Sequence, residues 1–160
     1  MNRDEHRTYI RSSLLLILKE SVSTINQLGK GMEFYAVSGQ LLNSLFLQMT
    51  GAQEQKMKCI CWELATNDLK YRYKRYYNGW SLNQCSTLVD KCKIYEDLMS
   101  AIKSKDRSYK LFANNRAKDD FRDEVYLSLT SILDGTNISS LYKNNIKFLK
   151  ILFQIYRLLT

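Results

Sequence analysis

Hydrophobic positions recur along this chain about once per helical turn, and strict alternation of the kind a strand needs is rare. In the first segment Ile10, Leu14, Ile17, Ser21, Ile25 and Leu28 fall on one stripe, which predicts a helix ending near Gly29 and Gly31. A second helix is expected over 32–49, with Phe34, Val37, Leu41, Leu45 and Phe46 inward and Gly51 as its stop. A third is expected over 53–77, burying Met57, Cys61, Leu64 and Ala65 with Ile60 beside them. It should stop at Asn78-Gly79, a pair that accepts the left-handed conformation closing many helices.

Ser81-Leu82-Asn83-Gln84 fits a capping box, in which the serine hydroxyl and the Gln84 side chain each satisfy a backbone N–H of the other residue. The helix it would open carries Cys85, Leu88, Cys92, Tyr95, Met99 and Ile102 on one face. After a polar stretch, 116–133 predicts another helix with Phe121, Val125, Leu129 and Ile132 inward. The last, 138–159, is apolar around most of its circumference and has one polar stripe of Lys143, Lys147, Lys150, Gln154 and Arg157. Such a helix belongs at the centre of a bundle or under a partner subunit, with Leu149, Leu152, Phe153 and Tyr156 as candidate interface residues.

These segments predict an all-α fold, a single compact bundle of five or six helices occupying residues 1–160 as one domain, with a strongly apolar C-terminal helix. Composition agrees: there is no proline and there are only six glycines, too few for the turns of a β-rich chain. The first residues lack the apolar core of a secretory signal, and four cations interrupt the most hydrophobic stretch. A cytoplasmic protein is therefore expected, with no membrane contact. Its four cysteines form no C-x-x-C pair and are expected to be reduced, with Cys85 and Cys92 on a buried face.

Charge changes this picture. A formal net charge of +8 calls for an anionic partner. Cations concentrate in LKYRYKRYY, where Lys70, Arg72, Lys74 and Arg75 interleave with Tyr71, Tyr73, Tyr76 and Tyr77. Arginine and lysine replace the counterions of a phosphate backbone, and tyrosine rings stack on unpaired bases. The candidate nucleic-acid-binding residues are accordingly Lys70, Arg72, Tyr73, Lys74, Arg75, Tyr76 and Tyr77, with a second basic patch at Lys143, Lys147, Lys150 and Arg157. The same cluster also suits a helix end, where cations complement the negative pole of the dipole and tyrosines edge a core.

Catalytic chemistry finds little footing. Asp119, Asp120, Asp123 and Glu124 have the spacing of paired carboxylates, but Arg116, Lys118 and Arg122 stand beside them, so a solvated helix start is expected. The lone histidine, His6, is remote from every other candidate ligand in sequence. Nothing calls for a metal, a cofactor or a small-molecule substrate. In length and helix content the chain resembles small bacterial bundles of the HEPN class, which include toxin ribonucleases of defence and mobile loci. Their signature is an arginine followed about a turn later by histidine. Here Arg122 is followed by Tyr126, so the resemblance is architectural and assigns no catalytic residue.

The expected function is a non-enzymatic helical subunit that binds nucleic acid or braces a nucleoprotein complex, as small subunits of defence or mobile-element systems do. A protein-interaction or homo-oligomerisation bundle is the alternative, and a metal-dependent or HEPN-like nuclease a third reading.

Overall fold

A computed structural model describes residues 3–27, 32–77, 79 and 84–134. They form six helices and no strand: α1 (Arg3–Arg11), α2 (Leu14–Asn26), α3 (Met32–Asn67), α4 (Leu69–Tyr77), α5 (Leu88–Lys105) and α6 (Asn115–Leu133). The expected C-terminal helix over 138–159 lies outside the described residues. No helix among the described residues is long and apolar enough to cross a membrane. The helices fall into two compact units. One holds α1, the part of α3 from Gly51 onward, α4 and α5; the other holds α2, α3 up to Thr50, and α6.

In the unit built on α2, Leu18, Val22 and Ile25 meet Leu42, Leu45 and Met49 of α3 and Val125 and Leu133 of α6. Leu15, Ile17, Leu41, Phe121 and Ile132 close the edges of this core. Two expected stripes are therefore rotated. In α2 the buried line is Leu14, Leu18, Val22 and Ile25, because the chain breaks at Ser12-Ser13 and Ile10 belongs to α1. Ser13 caps α2 by accepting from the Leu15 N–H at 3.2 Å, and the Ser12 hydroxyl donates back to the Tyr9 carbonyl at 2.7 Å. In α3, Val37 and Phe46 are exposed, Leu45 is buried as expected, and Leu42 and Met49 turn inward beside it. In α6 the expected Phe121, Val125 and Ile132 do face the core, the side chain of Leu129 lies outside the described residues, and Asn114 caps the helix by accepting from Ala117 N–H at 2.8 Å.

Gly51 does not stop a helix. One glycine inside a helix costs only about 1 kcal/mol. Thr50 bonds the Phe46 and Leu47 carbonyls, at 2.9 and 3.0 Å, and α3 runs through. The break falls at Asp68, where a carboxylate does compete for backbone N–H groups. It accepts from Lys70 N–H at 2.9 Å and Tyr71 N–H at 3.0 Å, capping α4. The start of α5 also differs from expectation. Ser81, Leu82 and Asn83 lie outside the described residues, while Gln84, Cys85 and Ser86 are not helical. The capping box is made by Thr87 and Asp90: the Thr87 oxygen accepts from Asp90 N–H at 3.1 Å, and Thr87 N–H donates to Asp90 at 3.4 Å. With that start, α5 buries Asp90, Lys91 and Ile94, and leaves Leu88 and Cys92 exposed.

The unit containing α1 is consequently rich in buried polar groups. Lys91 donates to the Gln53 side-chain oxygen at 3.0 Å. Lys56 of α3 reaches the C-terminus of α1 and donates to the carbonyls of Tyr9 at 3.1 Å, Ile10 at 3.0 Å, and Ser12. These are carbonyls that a helix end leaves without intrahelical partners. Burial holds the Lys56 ammonium below its ordinary pKa.

Candidate nucleic-acid interface

The helix α4 consists of LKYRYKRYY, without an acid in its first turn and with Lys74 and Arg75 in its last. It begins at the Asp68 cap and ends before Gly79, whose φ of 70° lies in the left-handed region glycine tolerates. At about 100° per residue, three surfaces separate around its axis.

Tyr71 and Arg75, one turn apart, form the inward surface. Arg75 is only 5% exposed, and its guanidinium lies 5.8 Å from the centroid of the Tyr71 ring. The Tyr71 hydroxyl is 3.5 Å from the sulfur of Cys61, a buried residue of α3. Burial first, and then the neighbouring Cys61, keep the Tyr71 phenol protonated far above its ordinary range. The buried Cys85 thiol is pushed up to about 11, chiefly by burial and then by Cys61, with the Arg75 charge pulling the other way. The inward surface is an anchor. Arg75, expected among the phosphate contacts, is part of it.

The opposite surface is a line of Leu69, Tyr73 and Tyr77, exposed by 73, 72 and 79%. The Tyr73 and Tyr77 rings are stacked on one another, with centroids 6.1 Å apart and planes inclined by 21°. Lys70 and Lys74 run along one flank of that line and Arg72 along the other, and all three are exposed. Of the seven sequence-predicted residues, α4 thus brings Lys70, Arg72, Tyr73, Lys74 and Tyr77 to one accessible surface and withdraws Arg75. The backbone of Tyr76 continues the helix, and its side chain lies outside the described residues. So do the second basic patch of Lys143, Lys147, Lys150 and Arg157 and the interface candidates Leu149, Leu152, Phe153 and Tyr156.

The acidic cluster at the start of α6 behaves as a solvated, neutralised helix face. Arg122 lies 3.1 Å from Asp119 and 3.6 Å from Asp123, and all four acids are exposed. Among the described residues no group of three or more His, Cys, Asp or Glu is placed to hold a metal ion. His6 sits in α1 with its Nδ1 3.8 Å from Glu63. Sequence reasoning missed Lys56 as a buried tether and Asp68 as a cap. The second had a readable signal, an Asn-Asp pair directly before the basic run. Comparison with protein-family models, with curated proteins and with solved structures finds no match to this chain.

Proposed function

We propose that this protein is a non-enzymatic basic helical subunit that binds nucleic acid through α4 and serves within a nucleoprotein assembly. The observation that carries the reading is the exposure of Lys70, Arg72 and Lys74 on a helix anchored by its opposite side. Fixed cations on a rigid element bind a phosphate backbone by releasing its counterions. With three phosphate contacts at about 0.7 to 0.9 each, log K should fall against log salt with a slope near −2 to −3. Between 50 and 200 mM salt that amounts to a loss on the order of twentyfold or more. Fluorescence anisotropy with labelled DNA and RNA tests this, with the Lys70→Ala/Arg72→Ala/Lys74→Ala variant alongside. Binding that ignores salt, or that survives the triple variant, overturns the reading.

A second reading, homo-oligomerisation, draws on exposed Leu16, Leu47 and Leu127 in the α2 unit and on the apolar 138–159 segment. Leu152→Glu would then lower the mass in solution and leave nucleic acid ignored.

A further inference from the structure

We infer that the ligand of α4 is a single strand, its bases lying against Tyr73 and Tyr77 while Lys70 and Lys74 on one side and Arg72 on the other hold its phosphates. This rests on the nucleic-acid reading and names the form of the ligand. A helix that reads duplex DNA presents side chains with paired donors and acceptors to base edges in the major groove. The outermost line of α4 is Leu69, Tyr73 and Tyr77, which offers ring faces and methyl groups instead. Ring faces have value only for bases that are out of the stack, because every unpaired base has a π face and a paired one hides it.

The spacing agrees. Stacked bases along one strand of a duplex lie about 3.4 Å apart, whereas the two tyrosine centroids are separated by 6.1 Å. The stacked pair occupies that interval itself, so each ring offers its outer face to one unpaired base of a stretched strand. The near-parallel planes, inclined by 21°, let both bases keep one strand direction. Cations on both flanks of the aromatic line then match a strand whose backbone crosses the helix, with phosphates on either side of the stacked bases. The rings are already ordered at adjacent turns of a capped helix, so little freedom is lost when a strand arrives.

The test compares three ligands of equal length at low salt: a single-stranded oligonucleotide, its duplex, and the same strand with abasic sites at every position. Whole protein and its Tyr73→Ala/Tyr77→Ala variant are titrated by anisotropy. A single strand should bind at least about tenfold more tightly than the abasic strand, since loss of one aromatic platform typically removes that much or more. The tyrosine variant should drop to the abasic level with the single strand and bind the abasic strand as before. Tyr73→Phe/Tyr77→Phe, which keeps the ring faces, should retain single-strand binding. Equal binding of the abasic and intact strands, or tighter binding of the duplex, overturns this inference while leaving the nucleic-acid reading in place. Absence of binding to all three ligands overturns both.

Discussion

Lys56→Met tests how the α1 unit is held together. The substitution keeps the aliphatic length of the side chain and removes the ammonium that donates to Tyr9, Ile10 and Ser12 carbonyls. A hydrogen bond to a charged group contributes about 1.5–3 kcal/mol when taken singly. The three do not add, for two reasons. Part of the lost interaction is recovered by water at carbonyls that are only partly buried, and the variant is relieved of the ammonium's burial, the same burial that depresses its pKa. Setting these against one another leaves a net loss of about 2–3 kcal/mol, a substantial share of the 5–15 kcal/mol typical of a domain. The Tyr9 ring, with Nζ 5.8 Å from its centroid, loses a smaller cation–π contribution as well. Native-state hydrogen exchange reads the effect locally: protection across 3–11 should collapse in the variant, while amides of α2, capped independently by Ser13, keep theirs. Exchange in α1 that changes by less than about 0.5 kcal/mol would refute the tether, since that is the range of an ordinary surface substitution.

Two further outcomes follow from the same region. Cys85, held at about 11 against an ordinary 9.0, stays protonated in the folded state after the unfolded chain has begun to ionise, so stability is intact below pH 9 and falls as the pH rises toward 11. That thiol alone should remove on the order of 1 kcal/mol by pH 10, with Tyr71 and Cys61 acting in the same direction and Lys56 in the opposite one; thermal melts at pH 8 and 10 check this, and Cys85→Ala should flatten the slope. Asp68→Ala should weaken nucleic-acid binding although it removes a negative charge beside the cations, and anisotropy at low salt decides the sign.

Helix content was legible in the sequence because burial repeats once per turn wherever a helix packs, and α6 shows how far that carries. Its span and the inward Phe121, Val125 and Ile132 follow from the pattern, and Leu133 joins them. What the pattern could not resolve was phase. Two apolar lines often coexist on one helix, as Leu88 and Cys92 do beside Ile94 in α5, and choosing between them depends on where the helix starts. The start in turn depends on a competition between capping side chains. Thr87 and Asp90 form the box seen in α5, although Ser81 and Gln84 have the same signature. Buried charge was equally illegible. Lys56, Arg75 and Lys91 look like surface residues in any composition argument, and each is buried against a partner or ring elsewhere in the fold. Of the cations named as interface candidates in α4, Lys70, Arg72 and Lys74 are exposed and Arg75 is buried, a difference that their residue types did not carry.

The interruption at Asp68 decides which arginine is spare. The buried line of α3 runs through Met57, Cys61 and Ala65. Continued without a break at about 100° per residue, it would pass through Asp68, Arg72 and Arg75 and draw both arginine side chains inward. With the helix interrupted at Asp68, Tyr71 lies against the thiol of Cys61 with Arg75 beside it, and of the two arginines Arg72 alone is left in water. Nothing in α4 itself imposes this, since its cations are distributed around the whole helix. The phase is held by the carboxylate that captures the Lys70 and Tyr71 N–H groups, and a cap of this kind contributes about 1 kcal/mol. Without it, α3 and α4 gain by joining, because the helical hydrogen bonds on either side, Asp68 N–H to Leu64 and Arg72 N–H to Asp68, are already made. Joining would turn Arg72 toward the buried line of α3 and take one flanking cation from the Tyr73–Tyr77 line. Electrostatics alone predicts that Asp68→Ala strengthens phosphate binding, and the phase argument predicts the reverse. A stronger complex would mean that the orientation of α4 is set by its inward anchor, Tyr71 and Arg75, and not by the cap.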